Sequence, residues 1–272
     1  NTLRFLLGNL ASFDESERLP LAEMPYLEQL VLHHLSELDE LVRQSCADFD
    51  FHRLYVALGN FCTNDLSAFY LDIRKDALYC DDLTSNRRRA ARTVLDQVFS
   101  CLTAWLAPIL CFTAEEAWRS RFPEEESVHL RQFPEIPSSW HNESLAARWA
   151  KVRTLRRVVT GALEVERREK RIGASLQGHP TVYAPAEYLA ALEGLDTAEI
   201  CITSSVTLKE GAVPDGAFML EDISDIGVIV EMAEGGKCAR CWQILSEVPV
   251  NESGVTGVCQ RCATAVAVHQ AA

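Results

Sequence analysis

Four cysteines near the carboxyl end have the spacing of a metal site. Cys238 and Cys241 form one Cys-x-x-Cys pair, Cys259 and Cys262 form a second, and seventeen residues separate the two pairs. Each pair can bend round one ion, so that four thiolates meet tetrahedrally at roughly 2.3 Å from the metal. This spacing is typical of four-cysteine zinc sites, and four thiolates leave no open position for a catalytic water. We therefore predict one structural zinc ion.

Other uses of paired cysteines fit the sequence less well. A redox Cys-x-x-Cys needs one pair at the start of a helix after a strand and leaves a second pair without a role. A pair of disulfides needs an oxidising compartment. Gly235 and Gly236 precede the first pair, and Gly254 and Gly257 precede the second, which supplies permissive backbone for tight turns. The remaining six cysteines occur singly in apolar or helical stretches and are predicted to be reduced small hydrophobes.

Cationic side chains and one indole flank the predicted metal ligands. Trp242 directly follows Cys241, Lys237 and Arg240 lie beside the first pair, and Arg261 lies within the second. Single-stranded nucleic acids bind to such combinations, because bases stack on the aromatic ring while cations hold the phosphates. The alternative is that Trp242 only covers the small apolar side of the cysteine module.

Two further groups of cations are candidates for phosphate contacts. Residues 148–171 contain nine Lys and Arg against three Glu, although the whole chain has a net charge of −13. Phosphates sense nearby cations more than the net charge, which selects Arg156 and Arg157 as candidate contacts. Arg87 and Arg88 open another predicted helix, where cations oppose the helix dipole and so indicate a nearby anion. A plain solvated helix face is the alternative for both groups.

Apolar residues at steps of three and four predict that the first two thirds of the chain are helical. The longest run, from about 50 to 79, carries a stripe of aromatic residues that we expect in the core, and charged residues that we expect in ion pairs along the helix. Thr113 to Glu116 has the pattern of a capping box that opens a helix. Asn142 is expected to cap the basic helix, and Gly173 is expected to end it in the left-handed conformation.

Beyond Gly178 the pattern changes to short strands. Runs at 181–183, 199–202 and 226–230, with a helix at 187–195, predict a small α/β unit. The expected fold is mainly α: a helical bundle, then a small α/β subdomain, then a four-cysteine zinc ribbon or knuckle. The predicted boundaries are 1–140 for the bundle, 141–178 for a basic helix that completes it, 179–232 for the α/β subdomain and 233–272 for the zinc-binding tail.

No common catalytic motif occurs in the sequence: it has no Gly-rich phosphate loop, no nucleophile elbow and no His-Glu-x-x-His. No stretch approaches the roughly eighteen apolar residues of a membrane span. We expect a soluble, cytoplasmic monomer. The first residues already have the apolar spacing of a helix, so we expect the chain to be a piece of a longer polypeptide. The residues alone predict a nucleic-acid-binding module without an active site.

Longer motifs carry a specific resemblance. The segments NTLRFLLGNL at 1–10, DLSAFYLDIRKD at 65–76, PILCFTAEEAW at 108–118 and KCARCW at 237–242 occur in this order, with the second cysteine pair after them. Together they resemble the carboxyl-terminal part of bacterial isoleucyl-tRNA synthetases, which comprises an anticodon-binding helical bundle, a junction subdomain and a zinc-binding tail. Related valyl and leucyl enzymes share the bundle but usually lack this four-cysteine tail.

The resemblance implies a function for the whole enzyme and a smaller one for this chain. The parent would be a class I ligase that joins isoleucine to its tRNA with ATP and Mg, through isoleucyl-adenylate. The His-Ile-Gly-His and Lys-Met-Ser-Lys-Ser signatures of its catalytic part are missing here, so this chain alone should not be catalytic. Its expected partners are the anticodon stem-loop of isoleucine tRNA and the catalytic and editing domains of the same polypeptide.

Residue by residue, the resemblance implies that the four cysteines bind zinc and that Trp242 packs against the anticodon. Arg240 would touch a base or a phosphate. Two other classes of function stay open: a DNA-binding zinc module, as in some DNA glycosylases, and a non-catalytic helical scaffold whose cysteine module docks another domain.

Overall fold

The computed structural model describes residues 1–249 and 257–271, with side chains up to residue 268. Gly254, which was expected to ease the turn into the second cysteine pair, lies outside the described residues. The chain divides into two compact units, Asn1–Glu143 and Ser144–Ala272. Within the described residues, no helix combines the length and the hydropathy that crossing a membrane requires.

The first unit is helical, as predicted from the apolar spacing. Its core contains fully buried leucines and aromatic side chains, among them Leu35, Phe99 and Trp105. Ser85 caps α5 by accepting a hydrogen bond from the Arg88 backbone N–H. The helices are α1 (Thr2–Asn9), α2 (Tyr26–Ala47), α3 (Phe51–Asn60), α4 (Leu71–Cys80), α5 (Asn86–Leu106) and α6 (Cys111–Arg121).

The predicted long helix over residues 50 to 79 is continuous but irregular. A π-helical segment, Phe61–Tyr70, joins α3 to α4. The expected ion pair along the helix forms between Lys75 and Asp72, at 2.8 Å. Arg74 instead turns into the core, where its Nε and Nη2 each donate to the Glu28 carboxylate at 2.7 Å. Tyr70 donates to the same carboxylate from its hydroxyl, so that α2 and α4 are joined by a buried charged cluster.

The prediction that the aromatic residues of this helix lie in the core was only partly right. Phe61, Phe69 and Tyr70 are buried as expected. Four others are exposed: Phe49, Phe51, Tyr55 and Tyr79. The difference follows from position, since the buried three lie in the central π segment while the exposed four lie at or beyond its ends.

The capping box predicted at Thr113 is wrong. Helix α6 already begins at Cys111, and its N-cap, Leu110, makes no side-chain cap hydrogen bond. The Ala114 N–H donates to the Leu110 carbonyl at 2.8 Å, so the first helical turn begins before Thr113 and leaves that residue inside the helix. Glu116, which would have closed the box, is exposed. The neighbouring Glu115 carboxylate accepts from the Ser127 hydroxyl and the Val128 backbone N–H, at 2.8 and 2.9 Å.

The second unit contains the basic helix α7 (Glu143–Arg168) and a four-stranded sheet. The strands are β1 (Gly178–Ala184), β2 (Thr207–Glu210), β3 (Phe218–Leu220) and β4 (Ile223–Met232), in the order β2-β1-β4-β3. β1 pairs in parallel with β2 and antiparallel with β4. Gly161 of α7 lets this sheet approach closely, because a Cβ there would lie 2.8 Å from the Phe218 ring. The basic helix thus belongs with the sheet, whereas the sequence led us to expect it in the bundle.

Two short helices also belong to this unit, and one of them replaces a predicted strand. Helix α8 (Ala186–Ala191) overlaps the predicted helix at 187–195 and ends before it. The β-branched run at 199–202 is not a strand, because helix α9 (Thr197–Cys201) occupies it. The Asp196 carboxylate accepts from the Glu199 backbone N–H at 3.0 Å and so caps this helix, which overrides the β propensity of Ile200 and Ile202.

Helix α7 ends earlier than predicted and by a different residue. Gly173 does not adopt the left-handed conformation; Lys170 does, with φ of 59°. The Arg171 N–H bonds to the Glu166 carbonyl and the Lys170 N–H bonds to the Arg167 carbonyl. These two bonds form a Schellman motif, in which glycine is the usual left-handed residue.

The last module is small and holds the cysteine pairs. Strands β5 (Gly236–Lys237) and β6 (Ile244–Leu245) form a two-stranded ribbon, and α10 (Gln260–Ala271) follows the second pair. Gly235 enters the ribbon with φ of 123°, and a Cβ there would lie 2.3 Å from the Leu245 carbonyl group. Glycine is therefore required where the chain leaves β4 for the cysteine module.

Candidate metal centre and nucleic-acid interface

The structure brings the four predicted ligands together. The sulfur atoms of Cys238, Cys241, Cys259 and Cys262 all lie within 4.8 Å of one another, and all four side chains are buried. The Cys241 and Cys259 sulfurs are 3.8 Å apart. A tetrahedral ion with sulfur ligands at about 2.3 Å requires sulfur separations of about 3.8 Å. The donor set and its geometry therefore fit one tetrahedral metal ion.

The same geometry excludes the disulfide alternative for these residues. A disulfide requires sulfurs about 2.05 Å apart, and the cysteines of the described chain are free thiols. Backbone groups already hold the turn in place. The Cys259 N–H lies 3.3 Å from the Cys238 sulfur, and the Ala239 N–H donates to the Gly257 carbonyl at 3.0 Å. Each pair is thus fixed to the other by hydrogen bonds as well as by any bound metal.

The thiols differ in how readily they ionise without a metal. Burial raises the pKa of Cys241 to about 12 and that of Cys262 to about 11. Burial also acts on Cys238, but hydrogen bonds from the backbone N–H groups of Cys241, Cys259 and Arg240 outweigh it and lower that pKa to about 6. One thiolate is therefore present at neutral pH to receive a metal, while a bound cation must displace protons from buried thiols.

Two arginines face the sulfur cluster. Arg240 places Nη1 3.8 Å from the Cys262 sulfur. Arg261 bonds to the Cys241 sulfur, an interaction that lowers the pKa of that thiol against the larger effect of burial. A divalent ion with four thiolates carries a net charge of −2, so two guanidinium groups would neutralise it. Arg240 was predicted as a contact to a base or a phosphate, and the structure provides it with this second role.

Trp242 extends from the metal turn into solvent. Its side chain is 62% exposed, and its backbone has φ of 66°. A bulky residue rarely adopts this left-handed conformation, which costs roughly 1–2 kcal/mol and is found preferentially at functional sites. Lys237 places its ammonium group 5.8 Å from the centre of the indole. The alternative reading, that Trp242 covers the apolar side of the module, does not agree with this exposure.

The two arginines selected on the basic helix already contact the chain. Arg156 donates from Nε to the Ile200 carbonyl at 2.8 Å. Arg157 lies 3.0 Å from the Asp222 carboxylate, with both side chains exposed. The helix uses further cations in the same way, since Lys151 pairs with Glu187 at 2.6 Å. Much of the positive charge of α7 therefore fastens the helix to its own unit, and Arg157 is the more accessible of the two predicted contacts.

Arg87 and Arg88 also have anionic neighbours within the chain. Arg87 binds the Asp81 carboxylate through Nε and Nη2, at 2.8 and 2.7 Å. Arg88 places Nη1 3.7 Å from Glu17. The sequence indicated an anion near these cations at the start of α5, and the chain itself supplies it. A phosphate is not needed to explain them.

A second cluster of metal-binding residue types lies in the first unit. His33, His34 and Glu37 bring their ligand atoms within 4.8 Å of one another. The Nδ1 of His33 accepts a hydrogen bond from the Asn142 N–H at 3.0 Å. A neutral His33 must then carry its proton on Nε2, which leaves no lone pair there for a metal. His33 is therefore a buried histidine that serves a backbone contact, and it offers this cluster no metal ligand.

Comparisons with known proteins agree with this arrangement. Residues 28–183, more than half of the chain, match the family described as the anticodon-binding domain of tRNA ligase. A protein of Agrobacterium fabrum named isoleucine–tRNA ligase is 54% identical over 249 residues, which cover 91% of this chain and 26% of the relative. Proteins of the same name from Brucella abortus and Ruegeria pomeroyi are 52% and 53% identical over 91% and 98% of this chain.

The chain spans about a quarter of the length of these curated relatives. The matched region runs through the helical unit, through α7 and into β1. The four-cysteine module lies beyond it but within the stretch shared with the Ruegeria pomeroyi protein, which covers nearly the whole chain. On this evidence the chain belongs to the anticodon-binding domain family of tRNA ligases, with isoleucine–tRNA ligases as its highly similar relatives.

Proposed function

We propose that this chain binds the anticodon stem and loop of an isoleucine tRNA and holds one structural zinc ion. The observation that carries the proposal is the exposed Trp242 on a turn clamped by four buried cysteines. The module keeps an aromatic ring in solvent despite a strained backbone, and places Lys237 beside it. An aromatic face next to a cation is the element on which single-stranded bases stack.

Zinc is the metal that this donor set favours. Four thiolates in tetrahedral geometry select Zn²⁺ or an iron–sulfur site over hard cations, and structural zinc has no redox chemistry to perform. The closed coordination gives the ion a role in shape only. A module of this size, with two-residue strands, would depend on the ion for its fold.

The intact protein would use this segment to hold the tRNA while a separate part performs chemistry. The relatives carry the name isoleucine–tRNA ligase, and we propose the same activity for the protein that contains this chain. ATP and Mg would bind to its catalytic part, and this chain would contribute none of the catalytic residues. The monomeric state and the cytoplasmic location expected from the sequence stay predictions.

Binding to a labelled anticodon stem-loop of isoleucine tRNA tests the proposal. We expect saturable binding that unlabelled stem-loop displaces and duplex DNA of the same length does not, together with one zinc per chain by elemental analysis. Equal competition by duplex DNA would favour the DNA-binding alternative. A chain that holds zinc but binds neither nucleic acid would support the scaffold alternative and refute the proposal.

A further inference from the structure

An open cavity of about 700 Å³ lies at the carboxyl end of α7. This volume is within the range of about 300–1,000 Å³ of ligand sites. Cations dominate its charged lining, which has four of them and one carboxylate. The lining residues that matter are Glu164, Arg167, Arg168, Lys170, Arg171 and Gln177.

Half of the cations are already neutralised within the chain. Arg167 pairs with Glu164, and Arg171 pairs with Glu166 and Glu169. Arg168 and Lys170 are exposed and have no side-chain hydrogen bond or ion pair among the described residues. The side-chain carbonyl oxygen of Gln177 accepts from the backbone N–H groups of Gly173 and Ala174. The NH₂ group of the same side chain, a donor, therefore points away from that turn. The side-chain groups of the cavity without a partner among the described residues are thus donors or cations, as an anion requires.

The backbone at Lys170 points to a use for its side chain. Lys170 is the left-handed residue of the Schellman motif that ends α7. Glycine takes this position at no steric cost, whereas a residue with a Cβ is strained there. The chain has a lysine there, exposed at the cavity. Trp242 has the same combination of exposure and left-handed backbone.

The cavity and the cysteine module are also fixed to a common frame. Ser204 donates from its hydroxyl to the Leu176 carbonyl at 2.6 Å and accepts from the Ile244 N–H of the ribbon at 2.7 Å. The Ala233 N–H donates to the backbone carbonyl of Gln177 at 2.8 Å, just before the chain enters the ribbon. These bonds hold the end of the cavity and the cysteine module in a fixed relation within the second unit.

We propose that this cavity binds backbone phosphates of the same RNA that contacts Trp242, with Arg168 and Lys170 as the phosphate-binding cations. The proposal rests on the proposed function. The competing explanation is that cations in the last turn only compensate the helix dipole. That explanation predicts a loss of stability without a loss of RNA affinity when the cations are removed.

The experiment compares RNA affinity at several salt concentrations for charge variants of the full chain. On a single strand, each phosphate contact makes the slope of log K against log salt concentration about 0.7 more negative. One contact therefore raises the affinity about fourfold at 0.15 M salt, compared with its contribution at 1 M salt. Arg168→Gln and Lys170→Gln should each weaken binding of the isoleucine anticodon stem-loop about fourfold, the double variant about fifteenfold, and the salt slope should fall with each change. Glu164→Gln should tighten binding, because it removes the carboxylate from the same cavity.

Lys209→Gln is the matched control, since Lys209 is exposed on β2 of the same unit and is not part of the cavity lining. It should leave both affinity and salt slope unchanged. Lys170→Gly separates charge from backbone: it should raise the melting temperature and still weaken RNA binding. Zinc content and circular dichroism identify any variant that misfolds.

The outcomes distinguish this inference from the proposed function. A wild-type chain that binds the stem-loop while the double variant keeps the same affinity and slope overturns the cavity assignment and leaves the proposed function in place. A wild-type chain that does not bind the stem-loop overturns both. Weaker binding by Lys209→Gln to the same extent as by Lys170→Gln would show a diffuse charge effect and would also overturn the cavity assignment.

Discussion

Replacing Trp242 with glycine tests two properties of the indole separately: the backbone strain at this residue and the contribution of the ring to RNA binding. The φ of 66° at this residue costs roughly 1–2 kcal/mol for a side chain with a Cβ and nothing for glycine. Glycine would relieve this strain, but two effects oppose the gain in stability. Glycine loses about 0.5–1 kcal/mol more backbone entropy on folding. The contact of the ring with Lys237, which is worth about 0.5–1 kcal/mol at an exposed site, is also lost. The metal-bound module should therefore keep its stability to within about 1 kcal/mol.

RNA affinity should respond quite differently. A base stacked on an aromatic side chain contributes about 1–3 kcal/mol, which corresponds to a factor of about 5 to 150 in the dissociation constant. Trp242→Gly should therefore lose RNA binding by this factor and retain its zinc. Trp242→Phe keeps a ring for stacking and should recover most of the affinity.

Trp242→Ala is the control for the backbone term. Alanine loses the ring but keeps the Cβ, so it should weaken RNA binding as glycine does and should hold zinc about 1 kcal/mol less tightly than the glycine variant. Fluorescence anisotropy of a labelled anticodon stem-loop measures the first quantity, and competition with a zinc chelator measures the second. The reasoning is refuted if the glycine variant binds RNA like the wild type, or if it loses zinc more readily than the alanine variant.

Three other predictions follow from buried charged and titratable groups. Zinc affinity should fall as the pH is lowered, because protons compete with the metal for thiols such as Cys241. Burial raises the pKa of that thiol to about 12. Chelator titrations between pH 8 and pH 6 measure the zinc affinity, and an affinity that does not change with pH would contradict the prediction. Glu28→Gln should destabilise the first unit by about 3–5 kcal/mol in denaturant unfolding, because it leaves the buried Arg74 without its charged partner; Asp72→Asn, at an exposed pair, should cost under about 1 kcal/mol and is the control. Burial lowers the pKa of His33, so the unfolded chain takes up its proton first as the pH falls. The wild type should therefore lose stability from about pH 6.5 downwards, relative to His33→Gln, and parallel stability profiles for the two would refute this assignment.

Some of the structure was accessible from local sequence patterns. Two cysteine pairs, seventeen residues apart, predict a tetrahedral site because the ligand geometry is a property of the residues and their spacing. The helices of the first unit follow from apolar residues at steps of three and four. The strand predicted at 226–230 is part of β4.

Some predictions failed because a neighbouring or buried group overrode the local pattern. Helix α6 begins before Thr113, which the pattern assigned to its cap, and the Asp196 cap drew residues 197–201 into a helix against their β propensity. The spacing of Arg74 suited a surface ion pair, yet it is buried on Glu28, forty-six residues away. Propensity is worth tenths of a kcal/mol per residue, so one tertiary contact can override it.

By itself, the sequence determined the residue types of the site: four thiolates, an indole after the second of them, and an excess of cations between 148 and 171. Only the tertiary structure decided which cations remain available to a ligand. Charge spacing along a helix does not show which carboxylates and carbonyls lie opposite, so Arg87 and Arg156 are engaged within the chain while Arg168 and Lys170 face an open cavity. The exposure of Trp242 was likewise decided by the folded cysteine turn, in which its backbone is left-handed and its N–H donates to the Cys238 carbonyl at 3.0 Å.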